Sequence, residues 1–161
     1  MHLETPVKPS GTALNINELA QKAHRRGAPL SVDSSFGPPC LQDPFLHGAD
    51  VTVHSGIKYR GGHSDILSGV LSVQKKEWHD RIVSERSYIS SVMGSSEGWL
   101  GVRSLRTLEL HLQRASANAE ALVQWLDRQS SIQRETKATV GTIVSGVEDS
   151  SLQKADLANV G

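Results

Sequence analysis

The chain contains a single cysteine, Cys40, so no internal disulfide framework can staple it, and a reducing compartment suits it. It has no charge excess, because 17 Lys and Arg balance 17 Asp and Glu. That balance removes the electrostatic argument for nucleic acid or an acidic membrane surface as a partner. No apolar run reaches the roughly 18 residues that a membrane span needs. Seven histidines are present, yet none stands in a metal-ligand spacing such as HExxH. No metal, nucleic acid or membrane is therefore expected. The opening, Met1-His2-Leu3-Glu4-Thr5-Pro6, is short of apolar residues and carries a carboxylate, unlike a signal peptide. A cytoplasmic location is the expectation.

What is present begins with a turn. Leu3 to Gly11 reads as a strand end followed by a two-proline, glycine-ended turn. A chain opening on such a turn is expected to start mid-domain, as a fragment. Asn15 is a good N-cap with Glu18 three residues on, and Ile16, Leu19, Ala20 and Ala23 form an apolar stripe at helical spacing. Gly27 is a natural stop. Pro29 to Asp33 reads as a short buried strand, Leu41 to Leu46 as a short helix, and Ala49 to Val53 as a second apolar strand. Strand, helix, strand, short helix, strand makes a parallel sheet the economical reading.

Two residues then emerge at one rim of that sheet. Asp33 ends one strand, and Lys58 follows the Ser55-Gly56 turn that ends the next. Asp33 is open to two readings, a cap for its own loop or a partner for a ligand cation. Lys58 is either a solvated surface lysine or an amine at the ligand-binding rim, partly shielded and able to attack a carbonyl as a free base. A cationic heterocycle between them makes sense of both. Pyridoxal 5'-phosphate takes a lysine at its aldehyde and an acid at its ring nitrogen. Ser55, three residues before Lys58, offers a hydroxyl to the phosphate.

Four ordered motifs also resemble a known family. They are Glu4-Thr5-Pro6-Val7-Lys8-Pro9, Val32-Asp33-Ser34-Ser35-Phe36, His54-Ser55-Gly56-Ile57-Lys58-Tyr59 with Gly62-His63-Ser64-Asp65, and Gly98-Trp99-Leu100-Gly101-Val102-Arg103-Ser104-Leu105-Arg106-Thr107-Leu108. Together they resemble the Cys/Met-metabolism, or trans-sulfuration, group of pyridoxal-phosphate enzymes. That group includes cystathionine γ-synthases, cystathionine lyases and O-acetylhomoserine sulfhydrylases. The wording is most similar to a fungal γ-synthase-like branch.

The resemblance implies an α/β chain belonging to the large aminotransferase-like, fold type I domain. A mostly parallel sheet with flanking helices and one long C-terminal helix is expected. Lys58 matches the Schiff-base lysine, Asp33 the partner of the pyridinium nitrogen, and Ser55 a phosphate-binding serine. Ser35 stands where the group has a threonine near the cofactor. Ile57 stands at the second phosphate-binding position, normally Thr or Ser, and brings no hydroxyl. The loss of one charge-assisted hydrogen bond lowers affinity by about ten- to a hundredfold. Lys8 replaces an asparagine that contacts the cofactor's phenolic oxygen. The implied reaction is γ-replacement or elimination on a sulfur-containing or homoserine-ester amino acid, in a homo-oligomer. The alternative is a truncated, non-catalytic fragment of such an enzyme. The resemblance places the ring-stacking tyrosine, the glycine-rich phosphate cradle and the substrate-carboxylate arginine outside this chain.

In the later half, Leu67 to Val73 reads as a strand, Lys75 to Arg86 as a helix, and Ser90 to Ser96 as a small-residue linker. Leu105, Leu108, Leu112, Ala115, Ala119, Leu122 and Leu126 form one seam, predicting a single helix from Trp99 to Leu126 with Trp125 exposed near its end. Residues 1–128 are expected to form a partial cofactor-binding domain, and 129–161 the poorly defined start of a C-terminal domain. Within the latter, 140–147 reads as a strand and 150–160 as a short helix.

Overall fold

The computed structural model describes residues 1–128, so the strand and helix expected beyond Arg128 lie outside the described residues. Strand β1 is His2–Glu4, β2 is Ser31–Asp33, β3 is Val51–Ser55 and β4 is Gly69–Val73. They lie side by side in that order in one sheet. β1, β2 and β3 run parallel, in a register that aligns Glu4 with Asp33 and Asp33 with Val53. The opening is thus a strand as well as a turn. β4 returns antiparallel against β3, pairing Gly69 with Ser55. An antiparallel return needs no crossover helix, and the short segment between Ser55 and Gly69 supplies none.

Period-two alternation decides what each face of the sheet does. Leu3, Val32 and Thr52 share one register line and one face, and Leu3 and Val32 pack with Ile16, Ala20, Ala23, Leu30 and Ala49 in the buried core. Helix α1, Ile16–His24, supplies three of those residues. Its Asn15 cap accepts the Glu18 N–H at 3.1 Å, which satisfies one orphan donor of the first turn. Glu18 pairs with Lys22 one turn on. Asp50 ties the loop before β3 to the start of β2 by accepting from the Leu30 N–H and meeting His24 Nε2, each at 2.8 Å. The opposite face carries Glu4, Asp33, Val53 and Ser55, and there the site forms.

The short helix expected at Leu41–Leu46 is a single 3-10 turn, Pro44–His47, capped by Asp43 and stopped at Gly48 in the left-handed region. Helix α2 is Lys76–Tyr88, with Trp78 and Ile82 half-buried as their shared spacing predicts.

The single long helix is corrected. It is two helices, α3 at Ser95–Leu105 and α4 at Leu108–Asp127, and α3 begins inside the stretch read as a linker. Between them the Thr107 hydroxyl donates to the Ser104 carbonyl at 3.3 Å, a local bond that competes with the helical ladder. A three-four apolar rhythm does not register such a break, because the spacing on each side is unchanged. The seam is buried only near the start of α4, where the helix packs on the turn at 56–60: Leu108 and Leu112 are buried, whereas Leu105, Leu122 and Trp125 are exposed. Among the described residues no helix is long and apolar enough to cross a membrane.

Candidate active site

Because β2 and β3 run parallel, their carboxyl ends open at the same rim, and the loops leaving them are stitched together there. The Ser34 N–H donates to the Val53 carbonyl at 2.9 Å, continuing the ladder one residue past β2. The Ser35 N–H turns back to Asp33 Oδ1 at 2.9 Å. The Ser55 N–H donates to Ser35 Oγ at 2.6 Å. After β3 the chain makes a wide turn, Gly56–Arg60, of π-helical width, interrupted at Lys58 (φ −78°, ψ −129°). Two bonds close this turn: the Gly56 N–H to the Ser68 carbonyl at 2.7 Å, and the Gly62 N–H to the Lys58 carbonyl at 2.8 Å.

A cavity of about 680 Å³ opens over this rim. Lys58, Asp33, Ser35, Ser55, Ile57 and Lys8 all line it. The structure therefore brings together every site residue expected from the sequence. Its size is within the range of small-molecule and cofactor sites. The two readings of Asp33 turn out to be compatible. One oxygen caps its own loop through Ser35, and the other has no hydrogen-bond partner among the described residues. Lys8 reaches the cavity from the opening turn, which is closed by the Val7 N–H to the Thr12 carbonyl at 2.9 Å. One expectation is corrected: Lys58 is exposed, so the described residues do not shield its amine from water.

Residues to which the sequence assigned no role also line the cavity, among them Glu4, Tyr59, His63 and His111. Glu4 was legible in principle, since it lies one register step from Asp33 on the same face. Tyr59 meets Phe36 edge-on at 6.5 Å between ring centroids. His111, on α4, had no local signal at all. His54 sits on the other face of β3, buried, with neither ring nitrogen bonded. Burial first, and the nearby Arg60 charge second, pull its pKa down to about 4, so at neutral pH the ring carries no charge.

The donor set fits pyridoxal phosphate. An amine, a carboxylate with a free oxygen, and the hydroxyls of Ser35 and Ser55 share one cavity. The Ser35 hydroxyl accepts from the Ser55 N–H and keeps its own proton for a further acceptor. The misfit is Ile57, which faces the cavity without a polar group.

Comparison with known proteins follows the same line. A family model described as Cys/Met metabolism PLP-dependent enzyme matches residues 1–139. The cystathionine beta-lyase of Lactococcus lactis subsp. cremoris (strain MG1363) is 34% identical over 134 residues, which are 83% of this chain and 35% of that protein. The cystathionine gamma-synthase of Mycobacterium bovis is 37% identical over 124 residues, 77% of this chain and 32% of the relative. Among solved structures, a cystathionine gamma-lyase from Lactobacillus plantarum complexed with L-serine aligns with a TM-score of 0.80 at 28% identity, covering 83% of this chain and 35% of that one. The chain spans about a third of the length of the curated relatives it matches.

Proposed function

The chain belongs to the Cys/Met metabolism PLP-dependent enzyme family, and on that premise we propose that the protein carries out pyridoxal-phosphate-dependent trans-sulfuration, with Lys58 as its catalytic amine. The reaction class is γ-replacement or elimination on a sulfur-containing or homoserine-ester amino acid. The observation that carries this reading is the gathering of Lys58, Asp33, Ser35, Ser55, Ile57 and Lys8 around one cavity at the carboxyl ends of parallel strands. Similarity extends to lyases and synthases alike, so the proposal stops at the class.

When bound, pyridoxal phosphate supplies an aldehyde for the lysine and an electron-accepting ring. The chain's own residues do the rest. Asp33 holds a proton on the ring nitrogen, because an opposite charge favours the charged form. Lys58 takes the proton from the substrate Cα and moves one at Cβ, where its position next to the reacting carbon replaces an encounter with solvent base. Ser55 donates to the phosphate, Ser35 contacts the cofactor, and Lys8 donates to the phenolic oxygen. Homo-oligomeric assembly, a cytoplasmic setting, a fungal-type branch and a domain boundary near residue 128 belong to the same proposal; the family motifs and, for the setting, the single cysteine support them.

A second reading, in which this chain alone is a non-catalytic piece of such an enzyme, is favoured by the exposure of Lys58. One titration separates the two. Pyridoxal phosphate added to the chain is expected to give a visible absorbance band that borohydride fixes to the peptide containing Lys58 and that Lys58→Ala abolishes. A band that survives the substitution overturns the role of Lys58. No band at all leaves the second reading standing for this chain.

A further inference from the structure

We propose that His111 is a hydrogen-bond donor to a phosphomonoester in this cavity, supplying the contact that Ile57 does not, and that His63 positions its ring. The inference rests on the cofactor reading above, and it concerns residues which the sequence motifs did not assign to the site. α4 buries Leu108 and Leu112, 6% and 2% exposed, and this seats the helix against the Lys58 turn and carries His111 to the cavity wall. Gly62, at φ +76°, makes room for the ring, since a Cβ there would lie 3.1 Å from His111 Nδ1. His111 has no hydrogen-bond partner among the described residues, and a neutral imidazole always carries one N–H. It can therefore donate without first taking up a proton.

His63 is held differently. Its Nδ1 lies 2.9 Å from the Gly61 carbonyl, which only accepts, so Nδ1 carries the proton. The fixed ring meets His111 edge-to-face, 5.3 Å between centroids at 70°. The charged groups on the same cavity are Glu4 and Asp33 against Lys8 and Lys58. Asp33 is committed to the ring nitrogen and Lys58 to the aldehyde. A phosphomonoester presents three acceptor oxygens, and at the Lys58 turn Ser55 offers a side-chain hydroxyl while Ile57 offers none. A carboxylate, with fewer oxygens to satisfy, leaves less for His111 to do.

The test compares pyridoxal 5'-phosphate with unphosphorylated pyridoxal on the full chain by absorbance titration. His111→Ala is expected to weaken the phosphorylated ligand roughly tenfold and leave pyridoxal unchanged. His111→Gln, which keeps a donor, recovers part of that loss, and His63→Ala falls between. Unchanged pyridoxal binding also reports that the variants fold. An equal effect on both ligands, or none, overturns the proposal. A second arm needs no cofactor chemistry: inorganic phosphate is expected to shift the His111 imidazole NMR signals saturably, and acetate is not. A response to acetate alone reassigns the donor to a carboxylate and sinks the proposal. If the wild-type chain captures neither aldehyde, the cofactor reading fails for this chain, and the phosphate titration still decides the role of His111.

Discussion

The backbone N–H of Ser55 donates to the hydroxyl of Ser35 at 2.6 Å, and that bond ties the loop carrying Asp33 to the strand end leading into Lys58. The two groups proposed to hold opposite ends of one cofactor are therefore fixed relative to each other by a serine between them. Ser35→Ala removes the acceptor and leaves a half-buried N–H unpaired, at a cost of about 1–2 kcal/mol. Urea unfolding is expected to register that loss together with weaker capture of pyridoxal phosphate. Ser35→Thr retains the oxygen and is expected to preserve both. An alanine variant with unaltered stability and capture would remove this bond from the account of the site.

Ile57 lines the cavity between Ser55 and Lys58 and presents only carbon. Ile57→Thr keeps the β-branch and puts a hydroxyl where the ethyl arm stands. Cofactor affinity is expected to rise by about ten- to a hundredfold, the worth of one hydrogen bond to a charged acceptor. The dissociation constant from an absorbance titration checks it, and an unchanged value would place residue 57 away from the phosphate.

The Lys58 turn is closed too tightly to admit a methyl group at Gly61. A Cβ there would fall 2.7 Å from the Gly56 carbonyl oxygen, a backbone atom that cannot rotate away. Gly61→Ala is expected to shift the turn, lower the melting temperature and weaken capture by Lys58. Gly69, on β4, is the control, with nothing within 4 Å of an added Cβ. Gly69→Ala is expected to leave both measurements alone.

Stability is expected to fall with pH because of His54. Its folded pKa is about 4, against an ordinary 6.5. As pH falls below 6.5 the unfolded chain takes up the proton while the folded chain does not. The stabilisation is whole above the ordinary value, drains between there and about 4, and changes no further below. The full loss is on the order of 3 kcal/mol. Denaturant melts across this range measure the slope, and His54→Gln is expected to flatten it. A slope that persists in the variant would assign it to other groups.

The sequence carried unequal amounts of this. α1 was readable almost to the residue, because its cap, stripe and stop are local signals. The opening strand was half-hidden, because three residues show too little alternation to count. The break at Arg106 and Thr107 was hidden because apolar spacing continues across it. His111 was invisible as a site residue, because its approach to Gly62 joins positions far apart in the chain through packing alone.

By itself, then, the sequence determined the chemistry on offer: a lysine after a Ser-Gly turn, an aspartate at a strand end, an apolar isoleucine next to the lysine. These are properties of residue type and near spacing, fixed before any folding. Tertiary structure alone decided which of them share a space. Parallel pairing of β2 with β3 puts Asp33 and Lys58 at one rim, the antiparallel return of β4 closes the turn onto Ser68, and α4 brings His111 to the same cavity. The reason is physical: register and helix packing are set by burying apolar faces, and the polar groups are carried to wherever that burial leaves them.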